Sequence, residues 1–381
     1  MPDITNDWLL TMPAGVANPH GLISAYGYWW VCFEATPGVL VRIDPANPSA
    51  YSLVSFPGHG WGMDLIDISS KGKIYVLWSS GATISEVDPK TLAWTDIIKG
   101  AGAGNGSLCA DGTYLDIGNW NTGALDRYKL SDWSFVGSLN LGLSYDYVAH
   151  YWIHGCRYDG SHIYAHSAAR ERWSYPTNLP KIAKVDPVTF SVVDSAGIPS
   201  GDDQLTDDLA FTKDYVWYGS EATGSILRVA KANLSLQTVI PVGLGPCFGV
   251  YYDGALIWAV FANNQQIISL DPDSLVITVF NFPNKSLQYS PNEIWNNGDQ
   301  FCATFFTNPA SVSGFTLNAS SVTPPALVPV TPPVAIPPAV QGAALAISGA
   351  PGAFQISGGT PPYTVSVTVK VADSTGVTVV L

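Results

Sequence analysis

Charge is scarce in this sequence. Asp, Glu, Lys and Arg together make up 12% of its 381 residues, about half the usual share of a soluble domain. Base is the scarcer sign: 17 Lys and Arg face 30 Asp and Glu, a formal net charge of −13. With no basic patch to neutralise phosphates, nucleic acid is excluded as a partner. Glutamate is nearly missing, with Glu34, Glu86, Glu171, Glu221 and Glu293 its whole complement. The Lys- and Glu-rich surface of thermophilic cytosolic proteins is therefore not present. Few charges among many Ser, Thr, Asn, Gly and aromatic residues suit an outer, acid-tolerant surface. A fold with few ion pairs loses little when its carboxylates protonate.

Long hydrophobic runs are also lacking. Nothing approaches the ~20 apolar residues of a membrane span, so no membrane insertion is expected. Met1 to Met12 has neither the basic start nor the apolar run of a secretory leader. An external protein without a leader fits a virion component, which leaves with the particle. Cysteine is sparse and scattered. Cys32, Cys109, Cys156, Cys247 and Cys302 are odd in number and lack metal-ligand spacing, so buried, unpaired thiols are expected and no cofactor is implied.

What is present is a repeat. Seven times a hairpin of two apolar strands leads into a third strand ending on or near an Asp-Pro turn. The copies read Ile43-Asp44-Pro45, Val87-Asp88-Pro89, Leu130-Ser131-Asp132, Val185-Asp186-Pro187, Val229-Ala230-Lys231, Leu270-Asp271-Pro272 and Leu317-Asn318-Ala319. A strand-only recurrence of roughly 40–50 residues predicts an all-β, seven-bladed β-propeller. The first hairpins turn at Lys71-Gly72, Asp111-Gly112, Asp159-Gly160, Asp253-Gly254 and Asn297-Gly298. Second strands such as Ile74-Tyr75-Val76-Leu77-Trp78 are apolar on both faces, as sandwiching between two neighbouring blades requires. A β-sandwich needs no such regular repeat. The seventh copy has three strands, and Ile4 to Met12 precedes the first. The N-terminal strand is therefore expected to complete the seventh blade and close the ring.

The propeller is assigned to residues 1–320. Residues 321–340 form a linker with seven prolines, Pro324, Pro325, Pro329, Pro332, Pro333, Pro337 and Pro338, a composition that favours a stiff extended spacer. Residues 341–381 are rich in strand signals. Ile356-Ser357-Gly358-Gly359-Thr360-Pro361-Pro362-Tyr363 resembles the opening of immunoglobulin-like modules. Half such a module is marginal alone. Tyr363, Val365, Val367, Val369 and Leu381 are therefore the candidate anchoring residues, docking on a partner chain.

Several sites compete for function. His150, His154, His162 and His166 fall in one repeat, and Asp202, Asp203, Asp207 and Asp208 open the next. Strand residues four apart share a face, so His162 and His166 are expected to point together. Histidines near carboxylates suit a metal or acid–base chemistry, with His150, His154, Asp202 and Asp203 the metal candidates. Hydrogen-bonded histidines between blades are the structural alternative, and the one favoured here. An insertion from Ser167 to Pro180 carries Arg170, Glu171, Arg172, Trp173 and Tyr175. Arg, Trp and Tyr are favoured interface anchors, and a loop lengthening one repeat decorates a binding face. Trp61, Trp120 and Trp152 are loop aromatics suited to sugar stacking or core packing. Asn105, Asn233, Asn284 and Asn318 head glycosylation sequons.

Two resemblances follow. Gly245-Pro246-Cys247-Phe248-Gly249-Val250-Tyr251-Tyr252-Asp253-Gly254-Ala255-Leu256-Ile257-Trp258 resembles the repeats of seven-bladed propellers of the virginiamycin-lyase and surface-layer kind, over residues 1 to about 317. The lyases' paired His and Glu have no matching positions, so this resemblance implies the fold and not the activity. The whole organisation, with propeller, Pro-rich connector and short β-rich tail, resembles the turret (petal) proteins of Sulfolobus turreted icosahedral viruses. That resemblance implies a non-enzymatic structural protein on the virion surface. Its tail would dock on other turret proteins, and its propeller would engage a host surface protein or glycan. The alternatives are a propeller enzyme, a lyase or lactonase with a divalent metal at the channel mouth, and a cell-surface propeller that binds glycans.

Overall fold

The computed structural model describes residues 4–101, 105–119, 122–141, 151–169, 181–199, 206, 208–262, 266–281, 290–306 and 309–317. Beyond these it describes the strands Ala346–Ser348, Gln355–Ser357, Thr368–Ala372 and Gly376–Val380. The chain divides into two units, Met1–Leu327 and Val328–Leu381.

The first unit is a seven-bladed propeller of four-stranded antiparallel sheets. Blade 1 runs through Pro19–Ala25, Tyr28–Phe33, Gly38–Ile43 and Ser52–Phe56, each strand pairing with the next. Blades 2 to 6 repeat that order, with inner strands Gly62–Ile68, Asn105–Ala110, Tyr151–Tyr158, Ala210–Phe211 and Cys247–Tyr252. Blade 7 is composite. Ser290–Asn296, Phe301–Phe306 and Ser311–Leu317 supply three strands, and Ile4–Thr11 supplies the outer one. Asn6 pairs with Phe315 and Trp8 with Gly314, the closure expected from the sequence. Gly314 is needed there: a Cβ would lie 2.2 Å from the Trp8 ring.

Burial explains the double-sided strands. Trp29 and Trp30 are adjacent and both fully buried. Trp29 packs with Cys302 and Val312 of blade 7, whereas Trp30 packs with Trp78 and Val76 of blade 2. Alternation along one strand thus feeds two interblade cores. All five cysteines are free and buried, as the sequence predicts. Cys32 and Cys247 fit where a Cβ on Gly21 or Gly219 would collide with sulfur at 2.8 and 2.4 Å.

The turn residues act through their side chains. Asp159 Oδ1 accepts the amides of Ser161 and His162 at 2.9 and 2.8 Å, and Asp253 Oδ1 those of Ala255 and Leu256, both at 2.8 Å. Gly160 and Gly254 take φ of +93° and +100°, where a side chain is strained. At the Asp-Pro turns, Asp88 Oδ1 accepts from Lys90 and Thr91, and Asp271 Oδ1 from Asp273 and Ser274.

A latch joins several blades. Arg42, Arg127, Lys184 and Arg228 occupy one equivalent place on the third strands, as the strand registers show. Each donates to a carbonyl in the corresponding turn of the next blade: Pro89 at 2.8 Å, Pro187 at 2.5 Å, Lys231 at 3.0 Å and Pro272 at 3.4 Å. Arg42, Arg127 and Arg228 each lie 4.6 Å from the ring of Tyr28, Tyr114 or Tyr215, a cation–π contact. Arg127 also grips Asp116 through two bonds of 2.8 and 2.9 Å.

The second unit contains two hairpins, pairing Ala346–Ser348 with Gln355–Ser357 and Thr368–Ala372 with Gly376–Val380. Val369 pairs with Val379. Tyr363, Val365, Val367 and Leu381 lie outside the described residues, as does all of 321–345, so the linker and any immunoglobulin-like arrangement do too.

Candidate functional site

Inner strands line the propeller axis, so a charge within one of them faces the channel or a neighbouring blade. Arg157, on the inner strand of blade 4, is the hub of the polar network described there. Its Nη1 donates to Asp64 Oδ2 at 2.7 Å and its Nη2 to Asp64 Oδ1 at 3.1 Å, reaching past blade 3 to blade 2. Nη2 also donates to Asp208 Oδ1 at 2.9 Å, just before the inner strand of blade 5. Nη1 meets the carbonyls of Leu108 and Cys156, both at 3.0 Å. Asp64 in turn accepts the amides of Leu65 and Leu108, each at 2.8 Å. Burial works against the charge on Arg157, but Asp64 and Asp208 outweigh it and hold the guanidinium even more firmly protonated than usual.

Beside this network is a cavity of about 290 Å³ at the hairpin-turn end of the ring. Arg157, Asp208, Phe211, Tyr251, Tyr252 and Trp295 are among its walls. The Tyr251 and Trp295 rings lie 4.8 Å apart at 39°. Tyr251 OH donates to the Asn296 carbonyl at 3.1 Å, and Tyr252 OH to that of Gly254 at 2.8 Å. The arrangement joins aromatic faces to a charge-balanced polar edge.

Register irregularities give the opposite end of the channel its residues. They occur at Pro19/Gly21, Gly62/Asp64, Asn105/Ser107, Ile153/Gly155, Cys247/Gly249 and Pro291/Ile294. Bulges re-aim side chains. His20, His154 and Phe248 are the extra residues at three of these sites. His20 Nε2 lies 2.9 Å from Glu34 Oε1, and its ring 5.7 Å from that of Phe306.

The sequence candidates are distributed as follows. His154 makes an edge contact with the His166 ring at 6.3 Å, and His166 is fully buried against Tyr218 at 5.2 Å. His162 precedes the strand Ile163–Ala169 and faces Ser161 Oγ at 2.9 Å from the turn. His162 and His166, expected to point together, thus have different neighbours. At about 3.3 Å per residue, four positions along a strand hold the two rings in different surroundings. Asp208 joins Arg157 rather than a metal set. Among the described residues no group of three or more His, Cys, Asp or Glu is arranged to hold a metal ion. His150, Asp202, Asp203 and Asp207 lie outside the described residues, as do Arg170, Glu171, Arg172, Trp173 and Tyr175. Trp61 is 54% exposed at φ +56°. Asn233 is exposed, its Oδ1 accepting the Ser235 amide at 3.0 Å. Asn105 begins an inner strand whose Ser107 is buried. Asn284, Asn318 and Trp120 lie outside the described residues, as does the side chain of Trp152.

The Arg157 network was not foreseen. Its signal was available: Gly155-Cys156-Arg157-Tyr158 and Met63-Asp64-Leu65 each set a charge among apolar residues of an inner strand, and a buried charge needs a partner.

Comparison with known proteins supports the architecture. The chain resembles the Neurospora crassa Pan2 WD40 domain, with 10% identity, a TM-score of 0.63, and coverage of 84% of this chain and 97% of that one. A streptogramin B lyase matches at 14% identity and TM-score 0.62, covering 82% and 98%. Kuenenia stuttgartiensis hydrazine synthase matches at 12% identity and TM-score 0.65, covering 81% and 98%. Such identities speak for the fold alone. No family model and no curated protein matches the chain by sequence.

Proposed function

We propose that this chain is a non-enzymatic virion surface protein that presents a β-propeller for attachment to a host surface. The second unit anchors it to other turret proteins. The observation carrying this reading is the division into a closed ring and a small hairpin unit, with a seven-proline stretch at the junction. A rigid ring suits display, a stiff spacer sets distance, and a unit too small for a core of its own gains stability by docking. The channel chemistry agrees. Catalytic groups are poised for proton transfer or attack, whereas Arg157 and Asp64 are committed to one another and to backbone groups. The resemblance to turret proteins supplies the virion context.

Truncation after Ser320 tests the reading. The shortened protein is expected to be soluble and folded, and to be missing from purified particles when it replaces the full chain. Incorporation of the truncated protein at the normal level would overturn the anchoring role.

A further inference from the structure

The cavity at the hairpin-turn end has a composition that selects its ligand. Its walls combine Trp295, Tyr251, Tyr252, Tyr158 and Phe211 with one guanidinium–carboxylate pair, Arg157 and Asp208. A pocket with apolar and aromatic walls and a few convergent polar groups is the general form of a small-molecule site. Each of these residues is partly exposed. Side-chain exposure is 20% for Arg157 and 13% for Asp208.

Charge narrows the class. Arg157 is matched by Asp208 at the cavity and by Asp64 behind it. An anionic ligand would have to compete with both carboxylates for the one guanidinium. A cationic ligand would have to take Asp208 from Arg157. A neutral molecule with vicinal hydroxyls disturbs neither. Its hydroxyls donate to the Asp208 carboxylate, while its C–H face lies on the aromatic rings. The hydroxyls of Tyr158 and Tyr252 already donate to the Gly160 and Gly254 carbonyls, each at 2.8 Å, so their oxygens are oriented as acceptors.

We propose that this cavity is a carbohydrate subsite that takes a neutral pyranose, with Trp295 and Tyr251 as the aromatic wall and Asp208, held in place by Arg157, as the hydroxyl acceptor. The inference rests on the attachment reading and gives it a chemical class of receptor, a neutral surface glycan.

The test is saturation-transfer NMR and calorimetry on the full-length protein. The probes are methyl α-mannopyranoside, methyl β-glucopyranoside, methyl β-galactopyranoside and N-acetylglucosamine, with choline and inorganic phosphate as charged competitors. Saturable binding of at least one sugar is expected, weakened about tenfold or more by Trp295→Ala. Trp295 also touches the interblade core, so Asp208→Asn, which keeps the side-chain shape, is the second variant and is expected to weaken sugar binding with the melting curve retained. Absence of saturable sugar binding by the folded protein, unchanged affinity in both variants, or binding of choline or phosphate in place of sugars would each overturn the proposal. The two readings fail separately. Particles that still adsorb to host cells through a Trp295→Ala chain would end the sugar assignment and leave attachment standing.

Discussion

Removing residues 1–12 is expected to destabilise the whole propeller, because those residues complete a blade they do not begin. Ile4 and Met12 are 4% and 2% exposed, and burying each contributes about 2 kcal/mol. Trp8 and Leu10 pack part-buried on the core shared by blades 7 and 1, adding about 1 kcal/mol apiece. The seam also holds Trp8 Nε1 to Gln300 Oε1 at 3.2 Å and the Met12 amide to the Ala310 carbonyl at 2.8 Å. The entropy of ordering the strand offsets part of this gain. A net loss of about 3–6 kcal/mol is expected, a large share of the ~5–15 kcal/mol of a typical domain. Urea unfolding of the full and shortened chains measures it. The fall should appear as one cooperative transition at lower urea, and added peptide 1–12 should restore part of it. An unchanged midpoint, with an unchanged slope, would refute the seam argument.

Other consequences are equally specific. Arg127→Met leaves Asp116 buried without its partner and should cost about 3–5 kcal/mol at neutral pH, with Asp116→Asn in the same chain recovering part of the loss in a double-mutant cycle. Burial raises Asp116 to about 6 against the pull of Arg127. A carboxyl raised in the folded state stabilises below its ordinary value of 3.8, and that contribution is lost as pH climbs to about 6. Asp88, lowered chiefly by Lys73, and Asp271, lowered chiefly by the Ser274 amide, act in the opposite sense. Their stabilisation is present above 3.8 and lost as pH falls through their folded values. Melting temperature should therefore peak near pH ~4 and decline on both sides. Asp116→Asn should remove the decline on the upper side, and a wild-type profile flat through that range would contradict the assignment. The five buried thiols should resist an aromatic disulfide reagent until the protein unfolds, burial pushing Cys32, Cys247 and Cys302 well up. Rapid labelling of the native chain would show that the interblade packing is looser than described.

The ring was legible in the sequence because each blade declares its own turns. Asp159-Gly160 and Asp253-Gly254 need a glycine at positive φ and an Asx side chain, both local requirements. Ile74-Tyr75-Val76-Leu77-Trp78 exposed the sandwiching directly, since a strand apolar on both faces needs two apolar neighbours. Closure was legible by subtraction, one strand short at the end and one extra at the start. The polar site was less so. Arg157 meets Asp64 across 93 positions, and Asp64 stands just past a bulge that no spacing rule announces. The histidines misled for a related reason. His162 stands just before its strand near the hairpin turn and His166 is buried between blades, so shared parity did not give the two rings shared surroundings. The latches were half visible, in the base two positions ahead of the turn in Arg42-Ile43-Asp44 and Lys184-Val185-Asp186. Their acceptors are carbonyls, to which the sequence gives no clue.

Adsorption of particles to host cells, measured with increasing amounts of the purified 1–320 ring added first, tests attachment by the propeller most directly. The free ring should occupy the receptors and block adsorption in a saturable way. Undiminished adsorption at saturating ring would contradict it.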